Sequence, residues 1–298
     1  MKMTINNPSG YLINRPSALA ALLCLVLPAL PASAETIEAK LPSGITVSAN
    51  FHTGRPSQPA VVLLHGFLQT HHSQPMNSLA GNLSSKGFST LSPTLSLGIN
   101  LRNQSMPCEA VHTHTMAQDI AELDYWVNWL GNKGYRDIVL IGFSSMGNNG
   151  IIVYNAQGAH PAISKAILIS PNSSYHDKAE RQKVRSMMET QPNTYAKKPM
   201  QLSLGYCRKN FTATAGSYLS YAQYDENKIL ELLRNTAVPT EIIFGSADTI
   251  LPANWVAHVK ATNIKVSIID KANHFFDGSH EFELAEEVEA ALSNLHAK

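Results

Sequence analysis

Residues 138–147 read Ile-Val-Leu-Ile-Gly-Phe-Ser-Ser-Met-Gly, an unbroken apolar run closed by a glycine, two serines and a second glycine. Continuous apolar runs of this length describe a strand buried on both faces, as in a parallel sheet. Residues 147–157 continue with helical character, so the serines fall on a strand-to-helix turn. A serine on such a turn has its hydroxyl lifted above the sheet edge. The helix that starts there aims unpaired backbone N–H groups at whatever the serine attacks.

The same grammar recurs on either side. AVVLLHG at 60–66, FSTLSP at 88–93, AILIS at 166–170, TEIIFG at 240–245 and KVSIID at 265–270 read as strands. Helical spacing occupies 74–86, the stretch opened by the capping box Thr115 to Gln118, about 253–260, and 280–296. Residues 36–51 read as a hairpin turned at Pro42-Ser43-Gly44. Strands alternating with helices imply a mostly parallel sheet with helices on both faces. The alternation stops over about 172–237, a polar, helix-prone insertion too long for a plain connection.

The chain has 298 residues, with 23 Lys and Arg against 22 Asp and Glu, so no basic excess points to a nucleic-acid partner. With 44% hydrophobic residues it has the material for a packed core, and disorder is excluded. Residues 1–34 have the three-part layout of a secretory signal peptide: Lys2 and Arg15, the apolar run 18–30, then Ala32-Ser33-Ala34. Cys24 lies inside that run without the small residues of a lipid-attachment site. No other run reaches membrane-spanning length. The mature chain, 35–298, is expected to be secreted or periplasmic, with no transmembrane segment.

Four loop segments carry chemistry. In Gly142-Phe143-Ser144-Ser145-Met146-Gly147 the motif is irregular. Ser144 fits G-x-S but has Met146 where a second glycine is expected, whereas Ser145 fits S-x-G but has Phe143 on the strand side. Strand-to-serine spacing favours Ser144 as nucleophile, with Ser145 the alternative. Asp248, in Gly245-Ser246-Ala247-Asp248, follows a buried strand, the edge where open α/β sheets bind ligands. His274 follows the next strand. A serine nucleophile needs a base to take its proton and a carboxylate to hold that base, so the order Ser, Asp, His is informative where each residue alone is not. His65-Gly66-Phe67 ends the first buried strand. The N–H of Phe67, with that of Ser145, would form an oxyanion hole.

With VVLLHGF, LIGFSSMG, IFGSADTILP and IIDKANHFF in this order, the chain resembles the α/β-hydrolase superfamily over nearly all of its mature length. The resemblance implies an eight-stranded, mostly parallel sheet with a helical cap insertion. It implies Ser144, Asp248 and His274 as catalytic triad, no cofactor or metal, and a small-molecule or lipid ester as substrate. A peptidase, or a binding protein that kept the fold with weakened catalysis, is the alternative. His112 and His114 have metal-like spacing, and His71 and His72 adjoin, but no Cys or acid cluster completes a site. The basic run from Lys178 to Lys198 reads as a solvated face. Cys108 and Cys207, the two cysteines left after cleavage, lie in loops expected over one sheet edge and are expected to pair.

Overall fold

The computed structural model describes Met1 and residues 34–173 and 176–293, so the signal-peptide reading falls almost wholly outside the described residues. Ten strands and nine helices are found among them. Eight strands form one sheet in the order β1 (Glu35–Lys40), β2 (Thr46–His52), β4 (Ser89–Thr94), β3 (Ala60–Leu64), β5 (Ile138–Phe143), β6 (Ile163–Ile169), β9 (Thr240–Gly245) and β10 (Lys265–Ile269). β1 with β2 and β2 with β4 pair antiparallel, and every later neighbour is parallel.

β3 and β5, in the middle of the sheet, are apolar throughout because both faces are covered. Along β5, Val139, Ile141 and Phe143 enter one core, with β10 residue Ile269, α1 (Met76–Ser85) and α9 (His280–Ser293). Ile138 and Leu140 enter the other, with α2 (Met116–Asn132) and α3 (Ser144–Ala156). The period-two alternation is present, but its two phases bury different cores. The helix after β5 begins at Ser144 itself, three residues earlier than its apolar spacing indicates. α2 carries the expected capping box between Thr115 and Gln118.

Between the neighbouring strands β6 and β9 lies the insertion. It holds four helices, α4 (Lys178–Thr190), α5 (Pro192–Tyr195), α6 (Ala215–Ala222) and α7 (Glu226–Arg234). It is not all helical: β7 (Met200–Leu204) and β8 (Cys207–Ala213) form an antiparallel hairpin. Its apolar positions, Leu202, Leu204, Phe211 and Ala213, are buried. The intervening Arg208, Lys209 and Asn210 hide that alternation in the sequence. The remaining helix, α8 (Trp255–Lys260), packs after β9 and buries Trp255, whose indole N–H donates to the carbonyl of Pro171 at 2.6 Å.

Candidate active site

Ser144 sits where β5 hands over to α3, with φ of 55°, the left-handed region that costs a non-glycine residue about 1–3 kcal/mol. Gly142 and Gly147 make the turn feasible. A Cβ at Gly147 would lie 2.6 Å from the carbonyl oxygen of Leu64 and 2.8 Å from that of His65. A Cβ at Gly142 would lie 2.8 Å from Oδ1 of Asn148. The close approach between helix and β3 therefore falls at position 147. Met146 occupies the irregular motif position by burying its side chain in the core, and Phe143 does the same on the opposite face.

Two carbonyls fix the turn further. Asn148 Nδ2 donates to the carbonyl of Ser144 at 2.6 Å and to that of Ile169, at the end of β6, at 2.8 Å. Because both partners only accept, the amide orientation is determined.

The loops after β9 and β10 are drawn together by Gly245, where a Cβ would lie 2.2 Å from the carbonyl oxygen of Ala272. Ala247 N–H donates to that oxygen at 2.9 Å. This places Asp248 Oδ2 2.7 Å from Nδ1 of His274, while Asp248 Oδ1 accepts the N–H of Ile250 at 2.9 Å. The Asp248 side chain is fully buried and that of His274 nearly so. His274 Nε2 lies 3.0 Å from Oγ of Ser144. With the carboxylate as acceptor, the neutral ring carries its proton on Nδ1, leaving Nε2 to accept from the serine hydroxyl. Serine, imidazole and carboxylate form one hydrogen-bonded chain, of the kind that moves a proton away from a hydroxyl.

That chain opens on a cavity of about 850 Å³, lined by Phe67, Phe143, Ser144, Ser145, His274 and Phe275 from the sheet edge and by Gly205, Tyr206 and Arg208 from the insertion. Ser145 lies in the first turn of α3, where backbone N–H groups lack intrahelical partners. Phe67 packs edge-on against Tyr206 at 5.5 Å and, tilted, against Phe211 at 5.8 Å, so the hairpin rests on the loop after β3. In that loop the left-handed residue is Leu68, with φ of 59°, not Gly66. At Gly66 a Cβ would meet only side chains, Oε1 of Gln69 at 2.6 Å and the ring of Phe143 at 3.1 Å.

The fold that presents this cavity can be compared with solved structures. The α/β hydrolase GrgF from Penicillium sp. sh18 superposes with a TM-score of 0.68 at 14% identity, over 89% of this chain and 100% of that one. The chain has the α/β-hydrolase fold. Est1E from Butyrivibrio proteoclasticus shares it at a TM-score of 0.61 and 16% identity, over 89% and 99% of the two chains. A thermophilic esterase from Thermogutta terrifontis shares it at 0.60 and 19%, over 89% and 100%. At the level of sequence, no protein-family model and no curated protein matches. Within the α/β-hydrolase fold, Ser144, Asp248 and His274 stand at the C-terminal ends of β5, β9 and β10.

Cys108 and Cys207 are joined in a disulfide, with Cα atoms 5.7 Å apart. Next to it the chain runs along β8: Thr212 N–H donates to the carbonyl of Cys108 and His112 N–H to that of Thr212. His112 and His114 face each other at 3.3 Å and are otherwise engaged with the Pro107 carbonyl and the Tyr221 hydroxyl. Burial holds His114 down to about 3. His71 shares a hydrogen bond with Thr94 Oγ1. Among the described residues no helix is long and apolar enough to cross a membrane.

The roles of Gly147, Gly245 and Asn148 escape sequence reasoning. Each depends on a contact with a strand or loop distant in the chain, and only the glycines left a visible trace there.

Proposed function

We propose that this chain is a serine hydrolase that cleaves a carboxylic ester, or a related acyl bond, through an acyl-enzyme. The observation that carries the reading is the chain Ser144 Oγ to His274 Nε2 to Asp248 Oδ2, at 3.0 and 2.7 Å, at the floor of a ligand-sized cavity. Ser144 Oγ attacks the carbonyl carbon while its proton passes to His274 Nε2. The carbonyl π pair becomes an oxyanion, received by the N–H groups of Phe67 and Ser145. Collapse expels the alcohol, which takes the proton from His274. Water then repeats the sequence on the acyl-serine. Asp248 keeps the ring in the required tautomer and stabilises the imidazolium. Each oxyanion donor is worth about 3–4 kcal/mol in such sites. The chemistry calls for no cofactor. The lining mixes apolar side chains, among them Tyr206, Ile250, Leu251 and Phe275, with polar and charged ones such as Lys178, Arg208 and Glu226, which suits a small-molecule or lipid ester that carries polar groups. The disulfide supports a secreted or periplasmic location.

The test is a fluorophosphonate probe followed by peptide mapping, beside turnover of p-nitrophenyl esters of graded acyl length. Modification at Ser144, abolished in Ser144→Ala and retained in Ser145→Ala, supports the assignment. Modification at Ser145 overturns the register. A chain silent to probe and esters alike is a binding protein on a hydrolase scaffold.

A further inference from the structure

Behind the loop that carries Phe67 lies a cation that the proposed reaction does not use. Arg102 is 5% exposed, yet among the described residues no carboxylate forms an ion pair with it. Its guanidinium is satisfied mainly by carbonyls: Nε donates to Leu95 at 2.7 Å, Nη1 to Gln104 at 2.8 Å and Nη2 to Gln69 at 2.7 Å. Nη2 also lies 3.2 Å from Nε2 of His65. Glu122 and Asp119 act on it only at longer range, and burial brings its pKa down to about 10. Burying a cation is costly unless its donors are all but fully used. Here four of the five N–H groups are.

The partners share one location. Leu95 follows β4, Gln69 and His65 bracket the loop after β3, and Gln104 lies on the chain leading to Cys108. His65 Nε2 faces two obligate donors, the guanidinium and the Leu95 N–H at 3.1 Å. It must therefore hold its lone pair there and carry its proton on Nδ1. Burial and the neighbouring Arg102 push His65 down to about 3, which keeps the ring neutral. Nδ1–H then donates to the carbonyl of Gly66 at 2.8 Å.

That carbonyl belongs to the same peptide unit as the N–H of Phe67. The unit is planar and trans, so its C=O and N–H point in opposite directions. Fixing the one aims the other, and a hydrogen bond to the carbonyl polarises the N–H as well. The flanks of the unit are held too. Gly66 N–H donates to Gln69 Oε1 at 3.1 Å, and the carbonyl of Leu68 accepts from Met106 N–H at 2.9 Å. We propose that Arg102 is a positioning residue: by fixing the tautomer of His65 and the carbonyl of Gln69, it aims the Phe67 N–H at the oxyanion. This rests on the serine-hydrolase reading above.

The experiment compares wild type, Arg102→Lys, Arg102→Ala, His65→Asn and His65→Ala. The readouts are melting temperature, kcat and KM on a p-nitrophenyl ester, and affinity for a trifluoromethyl ketone, which forms a tetrahedral oxyanion adduct with the serine. Asn in place of His65 keeps a side-chain N–H near the position of Nδ1. The expected result is a 10- to 100-fold fall in kcat for Arg102→Ala and His65→Ala, below the loss of a whole oxyanion donor. Ketone affinity should fall in parallel, with KM within about threefold of wild type. His65→Asn should recover at least a third of the wild-type kcat. Arg102→Lys, which restores charge without the fork, should lie between. If Arg102→Ala does not fold, the Lys and Asn variants carry the comparison. Kinetics and ketone affinity unchanged in folded Arg102 variants overturn the proposal, as does a loss confined to KM or to melting temperature. A wild-type chain without turnover or ketone binding overturns the underlying reading, and the proposal with it.

Discussion

Gly147 approaches Leu64 so closely that a methyl group on its Cα would lie 2.6 Å from the Leu64 carbonyl oxygen. That oxygen is backbone of a central strand and cannot move aside as a flexible side chain would. Gly147→Ala should therefore lower stability by about 3 kcal/mol or more and abolish hydrolysis. Gly150, one turn later, has nothing within 4 Å of an added Cβ. Gly150→Ala should be neutral or stabilising by up to about 1 kcal/mol through helix propensity. Chemical denaturation of the two variants checks the contrast, and equal behaviour would contradict it.

Asn148 makes the turn around Ser144 dependent on β6. Asn148→Ala removes two donors from the buried carbonyls of Ser144 and Ile169, which should cost about 1–3 kcal/mol. Relaxation of the left-handed Ser144 should add a loss of kcat greater than tenfold with KM nearly unchanged. Asn148→Asp replaces an N–H that faces two acceptors with another acceptor, and should be the worse variant in both assays.

Acid should unfold the protein early. Burial holds His65 and His114 near 3 and His71 near 4, and lowers His112 as well. A histidine with a depressed folded pKa contributes stability that is present above about 6.5 and is lost as pH falls toward the folded value, because only the unfolded chain takes up the proton. Asp119, pushed up to about 8 by burial, works in the opposite direction, as does the raised Glu122. The histidines outnumber them. Between pH 6 and 4 stability should fall by about 1.4 kcal/mol per pH unit for each net proton. Urea titrations at pH 7, 6, 5 and 4 measure the slope, and a flat series would refute the assignment.

Removing the disulfide tests its energetic role. The bond spans 99 residues, a loop for which chain entropy gives up to about 4.7 kcal/mol. Cys108→Ser with Cys207→Ser should lower the melting temperature. It should also raise hydrogen exchange in β7 and β8 more than in β5 or β6. Uniform loss of protection would mean that the bond supports the whole chain and not the hairpin.

The sheet was legible because β3, β5, β6 and β9 each contain an apolar run closed by glycine or a polar turn, and β5 with its serines set the frame for the rest. Order along the chain was enough to nominate Ser144, Asp248 and His274. The hairpin β7–β8 was not legible, since Arg208, Lys209 and Asn210 interrupt its buried residues and part of its cover comes from Phe67, Cys108 and His112, far away in the chain. The irregular turn could not be resolved from local sequence. Whether Met146 or Gly147 must be small depends on where the carbonyls of β3 lie, which is a contact across more than eighty residues. Nothing in the local sequence around Arg102 marks it out, and only its carbonyl partners distinguish it.

The covalent ring closed by Cys108 and Cys207 encloses β5, α3 and β6, and so contains Ser144, while Asp248 and His274 lie on the tail outside it. Among the described residues its longest exposed stretch is 189–194. A protease that cuts once there opens the ring but releases nothing: the two halves stay tethered through the sulfurs, one bearing the nucleophile and the other its base. Such a nicked molecule would migrate as a single species until reductant is added. Its hairpin would still be fastened beside Phe67, so a single surface cut need not silence it.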